Sequence, residues 1–309
     1  MESEHVVTAN DGTRLAGTLV RPEGADAVVL MIHGSGPLDR NENLLRQSLN
    51  VFNTIAADLA ERGIASFRYD KRGCGKSTGD YYTAGYHDVV DDAAACLAFL
   101  KEHASGGFHR VILLGHSEGT LVAADVAGTH ESVDGLVLLS PFLQPIEDIL
   151  IAQGREIGRA LAEMPGLGGS LARLSARLFG PPLAAQKRLI SRVKASDAPV
   201  VQHNLQRFPA KSLRELMAVD PAAIYGKVGV PTLVVSGGKD LQCDPGDGER
   251  IADLIGPQAT SVLMPNLTHI LRQDPGEHTF LSYQRLIRQP IDKALLGEVG
   301  GWLERMTRE

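Results

Sequence analysis

Two kinds of segment alternate along this chain, and that alternation limits its fold more than any other feature. "AVVLMIHG" is a short, continuous apolar run, and "IASFRYD", "RVILLGH" and "GLVLLSP" also read as strands. Such a run suits a strand buried on both faces. Between them lie "NVFNTIAADLAERG", "DVVDDAAACLAFLKEH" and "EGTLVAADVAG", which read as helices, the first closed by Gly63. Strands and helices in turn predict a parallel sheet with helices on both faces. Ahead of them, "HVVTANDGTRLAGTLVRP" reads as a hairpin around an Asn-Asp-Gly turn.

The alternation stops at Pro141 and resumes with "PTLVVSGG". A helix around 249–255, a strand "TSVLMPN" and a closing helix ending near "VGGWLERM" then complete it. Residues 141–228 are rich in Leu, Ala and Arg, are broken at "MPGLGGS" and "FGPPL", and hold no predicted strand. The organisation read from this is one α/β core, residues 1–140 and 229–309, carrying a helical lid at 141–228. The chain has 309 residues, 43% of them hydrophobic, which is enough for one large domain with an insertion. A net charge of -6 argues against a general nucleic-acid binder. The N-terminus lacks a basic start followed by an apolar core, and no run approaches the roughly 18 apolar residues of a membrane span. No membrane association and a cytoplasmic location are therefore expected. Cys74, Cys96 and Cys243 share no metal or CxxC spacing. Cys96 is expected in the core and Cys74 exposed in a glycine-rich loop, with no disulfide framework.

Three segments at strand ends carry chemistry, and the carboxyl edge of a parallel sheet is where sites form. Gly115-His116-Ser117-Glu118-Gly119 fits Gly-x-Ser-x-Gly between a strand and a helix. The glycines permit a sharp turn that lifts the serine hydroxyl clear of the sheet, at a helix N-terminus. The competing reading is a serine N-cap in a glycine turn. "HGSGPLDRN", from His33, follows the "AVVLMI" strand and suits an oxyanion loop. The backbone N–H groups of Ser35 and Glu118 are the predicted donors. Asp240 and His269 each follow a later strand, and Ser117, Asp240, His269 is the order a serine triad of this topology requires. Asp244 and Asp247 are rivals for the acid, and His278 for the base. The Glu118 carboxylate is accounted for by its place at a helix start.

Across nearly its whole length the chain resembles the α/β-hydrolase superfamily. "HGSGPLDRN", "DKRGCGKS", "GHSEG", "GGKDLQ" and "NLTHIL" resemble bacterial serine carboxylesterases of the dienelactone-hydrolase-like kind. The resemblance implies an α/β-hydrolase fold: an eight-stranded, mostly parallel sheet flanked by helices, with an inserted lid. It implies a triad of Ser117, Asp240 and His269, and hydrolysis of small-molecule carboxylic esters. Thioester, amide or carbon–carbon hydrolysis and acyl transfer would use the same triad. An inactive hydrolase fold used for binding would be expected to have lost a triad position, and here all three are filled.

"DKRGCGKSTG" is not a phosphate loop, because that motif needs glycine where Asp70 stands. Asp70 and Arg72 are read instead as structural ion-pair residues, and His33 as an organiser of the oxyanion loop. No HExxH, clustered His/Cys pattern or calcium loop is present in the sequence, so no cofactor and no metal are expected. Residues 151–215 hold eleven bases against four acids. Arginines lying along amphipathic lid helices account for that excess. A basic lid would alternatively favour an anionic ester over an apolar one.

Overall fold

The computed structural model describes residues 1–102, 107–203, 206–277 and 279–308. The chain begins with β1 (Glu2–Thr8), β2 (Arg14–Val20) and β3 (Ala27–Ile32). α1 (Val51–Glu61), β4 (Ala65–Tyr69), α2 (Tyr86–Glu102), β5 (Arg110–His116), α3 (Glu118–Thr129) and β6 (Gly135–Leu139) then alternate. An insertion follows: α4 (Ile146–Glu163), α5 (Gly166–Phe179), α6 (Pro182–Lys194), β7 (Val200–His203), β8 (Gln206–Pro209), α7 (Ala210–Ala218) and α8 (Pro221–Tyr225). β9 (Thr232–Gly237), α9 (Asp247–Ile255) and β10 (Ala259–Met264) restore the pattern. A 3-10 turn (Phe280–Ser282), α10 (Tyr283–Leu286) and α11 (Lys293–Arg308) close the chain.

Eight strands form one sheet in the order β1-β2-β4-β3-β5-β6-β9-β10. Only β2 runs against its neighbours, pairing antiparallel with β1 and β4. β3, β4, β5, β6, β9 and β10 are parallel, which puts their carboxyl ends on one edge. β3 explains the continuous apolar runs. Val28, Leu30 and Ile32 enter one core cluster with Leu97 and Leu121. Val29 and Met31 enter the opposite one with Phe52, Ile55 and Trp302. Each such side chain contributes about 1.5–3 kcal/mol by leaving water. Gly63, at φ 76°, lets α1 turn sharply into β4.

In the insertion, α4 packs on α5, α6 and α7. Leu189, Val193, Val201, Ala210 and Leu213 form a small core of their own there. The antiparallel hairpin β7–β8 was not expected from the sequence. Its strands have four residues each and end on Pro209, too short for an alternation to register. At the far end, Ile224, Tyr225 and Val228 belong to the cluster on the α2–α3 face of the sheet. The expected lid ends at Val228, and residues along its length share this core, Ile149 of α4 and Leu216 of α7 among them.

Lys211 meets Asp88 at 2.7 Å and Arg207 meets Asp80 at 3.3 Å, so bases of the insertion pair with acids of the sheet domain. No helix among the described residues is long and apolar enough to cross a membrane. All three cysteines are free and buried. Cys74, expected to be exposed, is packed in its loop, and burial pushes its thiol up to about 11.

Candidate active site

Ser117 sits between β5 and α3 with φ 53° and ψ -121°, a conformation few non-glycine residues adopt. The glycines on either side have steric reasons. A Cβ on Gly115 would lie 2.2 Å from the Gly119 carbonyl oxygen. A Cβ on Gly119 would lie 2.1 Å from the Ile32 carbonyl oxygen. The Ser117 N–H donates to the Leu139 carbonyl at 3.0 Å, anchoring the turn to β6.

His269, in the loop after β10, places Nε2 3.1 Å from Ser117 Oγ. Its Nδ1 lies 2.8 Å from Asp240 Oδ2. A carboxylate only accepts, so Nδ1 carries the hydrogen and Nε2 is left to accept the serine proton. The other Asp240 oxygen accepts the N–H groups of Gln242 and Cys243, at 2.8 and 2.9 Å. Burial opposes the ionisation of Asp240, but His269 and these two N–H groups hold it below the usual carboxylate range. The structure thus joins the three predicted residues in one hydrogen-bonded chain.

Ser35 and Glu118 are also brought together. The Ser35 hydroxyl donates to Glu118 Oε2 at 2.6 Å. The carboxylate of Glu118 therefore has a definite partner, beyond its place at a helix start. Lys71, buried at the end of β4, donates from Nζ to the Gly34 carbonyl at 2.7 Å and stands 3.9 Å from Glu118 Oε1.

Two cavities open here. One, about 260 Å³, is lined by Ser117, His269, His116, Phe142 and Gln153. The other, about 140 Å³, is lined by Lys71, Glu118, Val89, Phe208 and Leu213. Ser35, Ile146 and Leu150 line both.

Residues 24–276 match the model of the serine aminopeptidase S33 family of hydrolases. The chain belongs to that family. This S33-family chain is 26% identical over 293 residues to Esterase EstD of Thermotoga maritima, an alignment covering 94% of the chain. It spans 65% of EstD's length, less than two thirds. Among solved structures, the α/β-hydrolase GrgF of a Penicillium species superposes with TM-score 0.66 at 15% identity, covering 100% of both chains. Est1E of Butyrivibrio proteoclasticus, solved with ferulic acid bound, does so with TM-score 0.65 at 15% identity, covering 99% of this chain and 100% of that one. The fold is that of the α/β-hydrolases, as the sequence led us to expect.

The S33-family chain places the rival acids elsewhere. Asp244 binds Arg250 at 2.9 Å. Asp247 is buried and accepts the Leu143 N–H. His278 lies outside the described residues. Asp70 and Arg72 are ion-paired, though not to each other: Asp70 with Arg40, and Arg72 with Asp92 and Asp11. Buried His33 donates from Nε2 to the Tyr69 carbonyl, next to the loop of Gly34 and Ser35. Burial, with Lys71 nearby, lowers His33 to about 4, so it is neutral at pH 7.

Asp240, Cys243 and His269 offer possible metal ligands within 4.8 Å of one another. Asp240 and His269 are already committed to each other, and burial holds the Cys243 thiol well above its ordinary value. A cation there would have to break the Asp240–His269 bond, so these residues do not fit a metal centre.

Sequence reasoning missed Glu42 and His116. Glu42 Oε1 accepts the Gly34 N–H at 2.7 Å, and Oε2 accepts from His116 Nδ1 at 2.9 Å. His116 Nε2 donates to the His269 carbonyl at 2.9 Å. Both His116 nitrogens face acceptors, so both carry hydrogen and the ring is an imidazolium. Burial opposes that charge, but Glu42 outweighs it and raises His116 above its ordinary value. The only trace of this pair in the sequence is that its members sit inside or beside two glycine-rich motifs.

Proposed function

We propose that this chain is a serine hydrolase that cleaves carboxylic esters through an acyl-enzyme. The observation that carries the proposal is the run from Ser117 Oγ through His269 to Asp240, at 3.1 and 2.8 Å. Ser117 attacks the ester carbonyl as His269 Nε2 takes its proton. The backbone N–H groups of Ser35 and Glu118 stabilise the oxyanion, where a single donor is worth about 10²–10³ in rate. His269 returns the proton to the departing alcohol, and Asp240 holds the ring and its positive charge. Water, activated by the same histidine, then releases the acid. α4, α7 and the β7–β8 hairpin act as the lid.

EstD is named an esterase, and Est1E was solved with ferulic acid, which supports ester substrates. The family name raises amide cleavage as a second reading. An aminopeptidase needs a carboxylate for the substrate ammonium, and Glu118 is the candidate beside the oxyanion loop. Lys71 already stands 3.9 Å from it and would repel a second cation. The lid bases Arg207 and Lys211 pair with Asp80 and Asp88 outside both cavities, which disfavours an anionic ester and favours a neutral one. A fluorophosphonate probe should label Ser117, and Ser117→Ala should lose at least about 10³-fold in ester turnover while melting cooperatively. Turnover surviving in Ser117→Ala would mean another nucleophile.

A further inference from the structure

The smaller cavity has apolar walls, including Val89, Phe208 and Leu213, around a polar point made by Lys71 and Glu118. Lys71 has three N–H donors, one of them given to Gly34, and its Nζ is 3.9 Å from Glu118 Oε1. That separation is too long for a direct hydrogen bond. It does suit one oxygen seated about 2.8 Å from each. Such an oxygen must accept from an ammonium and donate to a carboxylate, and a hydroxyl does both. An anion would be repelled by Glu118 and a cation by Lys71. Arg72 also lines this cavity, but Asp92 and Asp11 bind its guanidinium at 2.6 and 2.9 Å. The polar point is therefore close to neutral.

The two cavities differ in what they place beside the reacting ester. A leaving alcohol must face His269 Nε2, and His269 lines only the larger cavity. The acyl chain then enters the smaller one, past Ser35 and Glu118. Building on the proposed ester hydrolysis, we propose that the smaller cavity is an acyl subsite selective for hydroxylated acyl chains, with the substrate hydroxyl bridging Lys71 Nζ and Glu118 Oε1. The Ser35 hydroxyl, 2.6 Å from Oε2, holds the carboxylate in place for that contact.

The test is a panel of ethyl esters followed by pH-stat: hexanoate, its 3-, 5- and 6-hydroxy derivatives, 6-aminohexanoate and the adipate half-ester. At least one hydroxyhexanoate should exceed hexanoate about tenfold in kcat/KM, as one bridged, charge-assisted hydroxyl would give. Both charged chains should fall below hexanoate. In Lys71→Met the ratio of hydroxy to plain ester should collapse toward one, whatever happens to the absolute rate. Ser117→Ala supplies a readout without turnover: titrated with the same esters, it should bind the preferred hydroxy ester about tenfold more tightly than hexanoate. Hexanoate hydrolysis with no hydroxy preference at any position would overturn the subsite and leave the serine hydrolase standing. No ester turnover and no probe labelling would overturn the hydrolase, and the binding titration would still decide the subsite.

Discussion

One carboxylate, Glu42, ties together three segments that must keep register for the proposed reaction. It accepts the Gly34 N–H of the loop after β3 and the Nδ1 hydrogen of His116, whose other hydrogen goes to the His269 carbonyl. Burial opposes the charge on Glu42, but His116 and the Gly34 N–H bring it below its ordinary value of 4.5. His116 is raised above its ordinary value of 6.5. The histidine's stabilisation is complete below about pH 6.5 and is lost as pH rises through its folded value. The glutamate's is complete above about pH 4.5 and is lost as pH falls through its folded value. In Glu42→Gln, the loss of unfolding free energy should therefore be greatest between those limits, on the order of 3 kcal/mol, and should narrow as pH rises through the folded value of His116. A His116 ring that NMR finds neutral at pH 6 would show that the pair carries no charge. Ser117, Asp240 and His269 could be proposed from the sequence because a triad of this topology has a fixed chain order and each follows a strand, and the structure brings the three into hydrogen-bonding contact. Glu42 and His116 could not be proposed in this way, because 74 positions separate them and nothing periodic links a buried ion pair.

At the scale of elements, the insertion is held down by two kinds of force. Lys211–Asp88 and Arg207–Asp80 are at least partly exposed pairs, worth about 0.2–1 kcal/mol each. Leu213 is buried in the insertion's apolar cluster, where truncation to alanine costs about 2–5 kcal/mol. Apolar packing should therefore win. Removing both bases, in Arg207→Ala with Lys211→Ala, should lower stability by about 0.4–2 kcal/mol at low salt and by far less in 1 M NaCl. Leu213→Ala should cost more, with little dependence on salt. Chemical denaturation of the three proteins at two ionic strengths separates these outcomes. Helix-rich structure was legible here, but its partners were not. α5 carries Leu171, Leu174 and Leu178 at helical spacing, yet all three are exposed. Periodicity reports that a face is apolar and not what covers it.

At the scale of the molecule, the parallel sheet was legible because strands buried on both faces tend to be apolar throughout, as β3, β6 and residues 111–114 of β5 are; β4, with buried Ser66 and Arg68, departs from that pattern. The way α4 lies across the active edge was not, since it depends on contacts between segments distant in sequence. Its Ile146 and Leu150 line both cavities, and in the proposed reaction they act as a septum between them. In the proposed reaction that septum sets the order of traffic. The first product leaves from the larger chamber while the acyl group stays tethered in the smaller. Whatever enters next competes with water for one carbonyl, so the larger chamber fixes the ratio of new ester to free acid. Widening it with Leu44→Ala, at a side chain that lines this cavity and not the smaller one, should raise the yield of benzyl ester when benzyl alcohol is added, measured by chromatography. Widening the acyl side with Val89→Ala should leave that yield unchanged, and an equal response from both variants would mean the chambers exchange contents. The septum thus makes the partition between hydrolysis and synthesis adjustable independently of acyl preference.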